Sequence, residues 1–306
     1  MKKIQFENAY YIKLGQNGKW ESSSIKESKL RIGWIKQNLD DINQGQWDII
    51  REQLSIFIRD QGAVTRDLNA LRYICESSSQ DVWITFFESK LWWCRVGKPI
   101  IYEDKISKYR EVNGSWSDKD IHGNVLFINS IPGEISKIQG FRGTACGVKE
   151  KQTLYRLIND EPSPEFNAIQ DSKEKLIENV VRGIKKLYWK DFETFVDLIF
   201  RQSGWRRLSM IGQKMKYADI ELKDPITNDQ YQVQVKSSAN FSDFERYADQ
   251  FNHQDYRKLY FVVHSPDNKL QNHETDYQDV ELVLPKRLSQ MAVDLGLVDW
   301  LMNKIK

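Results

Sequence analysis

Alternation of polar and apolar positions is sharpest between Tyr217 and Ser238, in YADIELKDPITNDQYQVQVKSS. Two alternating runs flank Asp224-Pro225 and Asn228-Asp229, residue types that end strands and form turns. Successive side chains on a strand point to opposite faces. Asp219 and Glu221 therefore share one face of the first run, which starts at Ala218, and Ile220 and Leu222 share the other. On the second run Gln232, Gln234 and Lys236 line one face and Val233 and Val235 the other. The pattern predicts a β-hairpin on which a carboxylate, an amide and an ammonium converge, backed by an apolar surface.

The flanking periodicities complete a unit. Phe192, Phe195, Val196, Ile199 and Phe200 form a helical stripe over 190–203, with Glu193 beside it. RRLSMIG, residues 206–212, reads as a first strand. After the hairpin come a helix over 241–251 and a nearly continuous apolar run, KLYFVVHS, expected of a buried central strand. ELVLP predicts one more strand, and residues 288–305 a closing helix. The predicted order is α-β-β-β-α-β.

The N-terminal half reads differently. Strands are predicted over 4–14 and 30–34, then two helices, through Trp47, Ile50, Leu54 and Phe57, and through Leu68, Leu71 and Ile74. DVWITFFESKLWWCRV predicts a hairpin turning at Glu88-Ser89-Lys90, and NVLFINSIPGEI a further strand. Pro162 and Pro164 lie among acidic and polar residues that read as a linker over 156–172, after a first domain of 1–155. Asp171 or Ser172 can cap a helix that opens a second domain, 173–306.

Composition narrows the class. The 306 residues are 40% apolar and 12% aromatic, enough for two folded cores. A net charge of +2 does not mark a nucleic-acid binder, so any basic surface is local. Arg182, Lys185, Lys186 and Lys190 form one such cluster; Arg201, Arg206, Arg207, Lys214 and Lys216 form another. Cys75, Cys94 and Cys146 are odd in number and unpaired in spacing, which argues against disulfides and zinc. No signal peptide or membrane-length apolar run is present, so a cytoplasmic protein is expected.

The hairpin's polar face is a suitable kit for cutting a phosphodiester. Mg²⁺ takes hard oxygen ligands, and Mn²⁺ can stand in for it. Asp219 offers a carboxylate, Gln234 an amide oxygen and Val235 its carbonyl; Lys236 can hold a water or neutralise a phosphate. The alternative is a polar face that is merely solvated. Asp219 followed by Gln234-Val235-Lys236 resembles the signature of the PD-(D/E)XK nucleases. More narrowly it resembles the Mrr-like restriction endonucleases, in which Gln often replaces the second acidic ligand. YWKDFETFVDLIFRQSGWRRL is similar to that family's first helix, with Glu193 at the family's acid and Gly204-Trp205 leading into its first strand. The resemblance covers roughly residues 186–265. It implies an α/β nuclease core with a mixed sheet. Asp219 is then the principal metal ligand, Gln234 the second, Lys236 the catalytic lysine and Glu193 a supporting acid or ligand. A neutral amide binds Mg²⁺ less strongly than a carboxylate, so Glu193 or Glu221 would make up the charge. The implied function is Mg²⁺-dependent cleavage of double-stranded DNA in restriction or phage defence, as a homodimer where both strands are cut.

Seven of the ten tryptophans, Trp20, Trp34, Trp47, Trp83, Trp92, Trp93 and Trp116, precede residue 117. IGW after a strand, then helices, then the LWW hairpin, resembles over roughly 5–148 the EVE and related PUA-superfamily modules. That resemblance implies an α+β barrel that binds a modified base. Trp34, Trp93 and Trp116 sit near polar neighbours and are candidates to stack on a base taken out of the duplex. The competing readings are a structural or protein-interaction domain with an aromatic core, and, for the whole chain, a non-catalytic DNA-binding protein on a degenerate nuclease fold or a repair or RNA-directed nuclease.

Overall fold

The computed structural model describes residues 2–208, 219–251, 253–273 and 277–306. It is a mixed α/β structure that divides into two compact units, Met1–Ser163 and Pro164–Lys306. The segment expected to be a linker, 156–172, is helical over most of its length. One helix, Lys151–Ile158, ends within it and another, Pro164–Ile184, begins within it. Pro164 fits the first turn of a helix, where its missing N–H has no partner to lose.

In the first unit six strands run β1 (Ala9–Ile12), β2 (Lys29–Ile32), β3 (Val82–Phe87), β4 (Lys90–Glu103), β5 (Lys108–Val112) and β6 (Ala145–Gly147). They pair in the order β2-β5-β4-β3-β1-β6, with only β1 and β3 parallel. The register of β4 on β5 shifts between Val96 and Ile101; β4 pairs with β3 through residues 90–95 and with β5 through residues 96–103. Among the described residues β2 and β6 do not meet, so the expected barrel is not closed. The β3–β4 hairpin turns at Glu88 and Ser89, both with positive φ (49° and 58°), as a two-residue turn matched to strand twist requires. Strict alternation along β3 sorts the side chains. Trp83 joins Ile12, Cys94, Leu54 and Leu71 on one face, while Val82 and Ile84 join Tyr11, Leu91 and Leu154 on the other.

Two expectations for this unit fail locally. NVLFINSIPGEI is not a strand. It forms a 3-10 turn at Ile128–Ser130 and a short helix at Gly133–Ser136, bridged to β4 at Lys90–Phe127 and packed on the sheet through Leu126, Ile131 and Ile135. Pro132, Pro's lack of an N–H and Asn129-Ser130 oppose a continuous ladder there. The strand expected over 30–34 stops at Ile32, because Trp34 takes a left-handed conformation (φ 55°).

Among the described residues the second unit holds one five-stranded mixed sheet: β7 (Arg206–Arg207), β8 (Ile220–Lys223), β9 (Gln230–Ala239), β10 (Lys258–Pro266) and β11 (Val280–Val283). Their order in space is β11-β10-β9-β8-β7; the β10 pairings are parallel and the rest antiparallel. With helices Trp189–Gln202 and Phe241–Asp249 the chain order is α-β-β-β-α-β. Residues 209–212 of the predicted first strand, together with Ala218, Lys214 and Lys216, lie outside the described residues. The single closing helix expected over 288–305 is two, Pro285–Asp294 and Val298–Ile305. Gly296, at φ 69°, ends the first, the left-handed position that favours glycine.

Candidate active site

The hairpin forms in the register its alternation requires, with Glu221 opposite Gln232 and Ile220 opposite Val233. Asp224 builds the turn: its carboxylate accepts from the N–H groups of Ile226 (2.7 Å) and Thr227 (3.0 Å). Val233 and Val235 pack with Ile220, Leu222, Phe192 and Val196 beneath the Trp189–Gln202 helix. The opposite face is not solvated. Gln232 and Gln234 are only 8% and 3% exposed. Gln234 lies beside Phe261 of β10, which packs on Phe244 of the Phe241–Asp249 helix. Amides this deeply buried need partners.

Gln234 finds its partner in Asp219. Its Nε2 donates to Asp219 Oδ2, and the backbone N–H of Val235 donates to the same oxygen at 2.7 Å. Asp219 N donates in turn to the carbonyl of Val233 at 3.1 Å. A strand residue directs its N–H and C=O toward the same neighbour, so Val235 also turns its carbonyl toward the Asp219 side. Lys236, half-buried, holds its Nζ 5.1 Å from the centre of the Tyr247 ring. Its charge acts on both Asp219 and Glu193.

Glu193 reaches this group from the Trp189–Gln202 helix. Burial raises its pKa, and the charge of Asp219 raises it further, against Arg207, Lys190 and Lys236. Burial likewise raises the pKa of Asp219, against the hydrogen bond from Val235, the charge of Lys236 and the bond from Gln234. Asp219, Gln234, Lys236 and Glu193 are thus brought together. Glu221 is drawn away: it accepts a hydrogen bond from the hydroxyl of Tyr256, two residues along the strand.

Sequence reasoning missed one contributor, Asp197, and saw another, Arg207, only as part of a basic cluster. Asp197, one helical turn beyond Glu193, is buried and pairs with Arg207 of β7 at 3.0 Å. Arg207 also acts on Glu193. An acid inside the apolar stripe FVDLIF was the available signal. A cavity of about 810 Å³ lies toward the Asn228-Asp229 turn, lined by Tyr231, Tyr256 and Tyr260, at the end of β9 away from Gln234. Two of its acids face cations, Asp229 with Arg257 (3.6 Å) and Asp279 with His253 (3.5 Å), and none is joined to Lys236 or Glu193, so size does not move the candidate chemistry from Asp219.

The three tryptophans proposed to stack on a base do not come together. Trp116 is core, 5% exposed, with its Nε1 donating to the carbonyl of Lys29 at 3.2 Å. Trp93 packs on the other face of the sheet and donates to the carbonyl of Lys119 at 2.8 Å. Trp34 is half-buried, and its side chain hydrogen-bonds Asp67, whose carboxyl pKa burial raises against the pull of that bond and of Arg66. Asp67 lines a cavity of about 480 Å³ with Lys13, Lys19, Trp20, Gly33 and Arg142.

Among the described residues no group of three or more His, Cys, Asp or Glu could hold a metal ion. The donor set here has two acids, an amide and a carbonyl. Two partly buried carboxylates whose pKa values are both raised, one by the charge of the other, are a pair that a divalent cation would relieve, and all the donors are oxygen once the Gln234 amide turns end for end. No helix among the described residues is long and apolar enough to cross a membrane. Compared with known proteins, the chain matches no protein-family model, no curated protein and no solved structure.

Proposed function

We propose that the second unit is a metal-dependent endonuclease of the PD-(D/E)XK type, Mrr-like in its Gln-x-Lys variant, that hydrolyses DNA phosphodiesters. The observation that carries this reading is the partly buried join of Asp219 to Gln234 and to the N–H of Val235, with Lys236 next in line and Glu193 close enough to feel the charge of Asp219. A structural hairpin has little reason to hold two partly buried acids close enough that one raises the pKa of the other. Asp219, Gln234 through Oε1, the Val235 carbonyl and Glu193 would hold Mg²⁺ or Mn²⁺. When bound, such an ion polarises the phosphoryl oxygen and makes water a stronger nucleophile. Lys236 neutralises the charge that grows on the phosphate and orients the attacking water. Arg207, held by Asp197, keeps positive charge beside Glu193.

Double-stranded DNA is the substrate in this reading, in restriction or phage defence, with a homodimer for double-strand cuts. The first unit then selects the target. The base-binding role, a modified base included, falls to the cavity beside Trp34 and Asp67, where Lys13, Lys19 and Arg142 can meet a phosphate and the carboxylate a base edge. The test is nicking of supercoiled plasmid in Mg²⁺. Asp219→Ala and Lys236→Ala are each expected to lower the rate by about a hundredfold or more while the fold is kept. Either variant cutting at the wild-type rate removes the catalytic assignment.

A further inference from the structure

Five side chains crowd the turn that enters the Trp189–Gln202 helix: Lys185, Lys186, Tyr188, Trp189 and Lys190, all exposed, around Leu187, which is buried. Tyr188 is 62% and Trp189 44% exposed, in a protein whose other unit hides Trp83 and Trp116 completely or nearly so. Large aromatic rings left in water need a reason when they adjoin one another. The two ring centres lie 5.7 Å apart, and Lys190 Nζ sits 5.2 Å from the Trp189 ring. Among the described residues Lys185, Lys186 and Lys190 form no ion pair. Position also matters. Trp189 and Glu193 are four residues apart on one helix, so they share a face with side chains about 5–6 Å apart. Whatever lies on Trp189 lies one turn from the acid that senses Asp219 and Lys236.

We propose that Tyr188 and Trp189 are a stacking platform for unpaired bases of single-stranded DNA, with the three lysines holding its phosphates. This rests on the nuclease reading for its purpose but not for its test. A base inside a duplex already has neighbours on both faces; only a frayed, looped or single-stranded base can offer its ring. Cations interleaved with exposed aromatics are the arrangement that tracks single strands. The lysines supply attraction to phosphate that duplex DNA would share, so the aromatic rings are what confer the preference for single strands.

The experiment is fluorescence anisotropy of the full chain with labelled oligonucleotides in EDTA, so that nothing is cut. Trp189→Ala is expected to weaken binding to a single strand roughly five- to a hundredfold. Trp189→Phe should recover most of that, and binding to a duplex of the same sequence should hardly change. The wild type should bind an abasic single strand as weakly as Trp189→Ala binds the normal one. The proposal is overturned if Trp189→Ala binds the single strand like the wild type, or loses equally on single strand, duplex and abasic strand. Asp219→Ala, run in parallel, separates the two ideas. If it still cuts plasmid while Trp189→Ala has lost single-strand binding, the nuclease assignment fails and the platform stands.

Discussion

Asp219 is a costly residue to bury, and the direction of its pKa says so. Burial raises the folded-state values of both Asp219 and Glu193 from their ordinary values. The native chain therefore binds protons more tightly than the unfolded chain. Stability falls as pH rises from the usual carboxylate pKa through the raised ones, and the penalty is fully present above them. Asp219→Asn keeps the shape and an acceptor for the Val235 N–H, yet removes the charge and its push on Glu193. It is expected to melt at a higher temperature than the wild type at pH 8, the gap closing as the pH falls through the carboxylate range; a lower Tm at pH 8 would make Asp219 a structural residue. Gln234→Glu tests the same logic in reverse. A third carboxylate beside two others should lower Tm in EDTA, and adding Mg²⁺ should raise Tm by more than in the wild type, since a cation that binds only the native state stabilises it. If Mg²⁺ moves neither Tm, the group does not hold a metal. Asp219, Gln234 and Lys236 were legible because a strand has period two and the turn residues set its register. Arg207 and Tyr247 were not, because what brings them to the site is pairing and packing between distant elements.

At the scale of elements, the buried cations of the first unit explain why β5 went unseen. KYREV carries three charges in five residues, yet Lys108 and Arg110 are buried. Arg110 donates to the carbonyls of Ile74 (2.6 Å), Gly97 (2.7 Å) and Lys98 (3.0 Å), and to Ser77 Oγ (3.1 Å). It thereby closes the C-terminal end of the Gln61–Glu76 helix, where cations are favoured, onto the irregular stretch of β4. The pattern of apolar residues cannot report a strand that buries guanidinium against carbonyls. Each carbonyl left unpaired costs about 1–3 kcal/mol. Arg110→Ala should therefore destabilise the first unit by about 3 kcal/mol or more, measured by urea denaturation of the whole chain, while leaving the second unit's transition in place. Helix and hairpin positions were legible in both units wherever period and turn residues agreed, as at Glu88-Ser89 and Asp224. They failed where a glycine or a buried polar group intervened, as at Gly296 and Arg110.

At the scale of the molecule, each unit closes its own cores. The first gathers Trp83, Leu71 and Ile12 on one sheet face and Ile84, Leu91 and Leu154 on the other. The second gathers Phe195, Val233 and Leu301 on one face and Phe244, Phe261 and Leu270 on the other. A chain segment with its own core is one that can fold alone. The division at Ser163 and Pro164 was nearly legible from Pro162 and Pro164, but Pro162 precedes a helix and Pro164 opens it, so they do not extend a linker. That helix buries only Ile177, Val180, Gly183 and Ile184, so its N-terminal half adds little to the second core. Cutting at 163/164 should give two soluble fragments, each with a cooperative melt. Fragment 164–306 retains Glu193, Asp219, Gln234 and Lys236 and should nick plasmid weakly and without discrimination. Fragment 1–163 should bind DNA without cutting it, and Asp67→Asn within it should weaken that binding if the cavity beside Trp34 reads a base. Trp83→Ala is the control for folding: it opens the core and should cost roughly 3–5 kcal/mol of stability. If fragment 164–306 melts cooperatively but never cuts, while the whole chain does, the active site needs something from the first 163 residues, and the division of selection from cleavage is wrong.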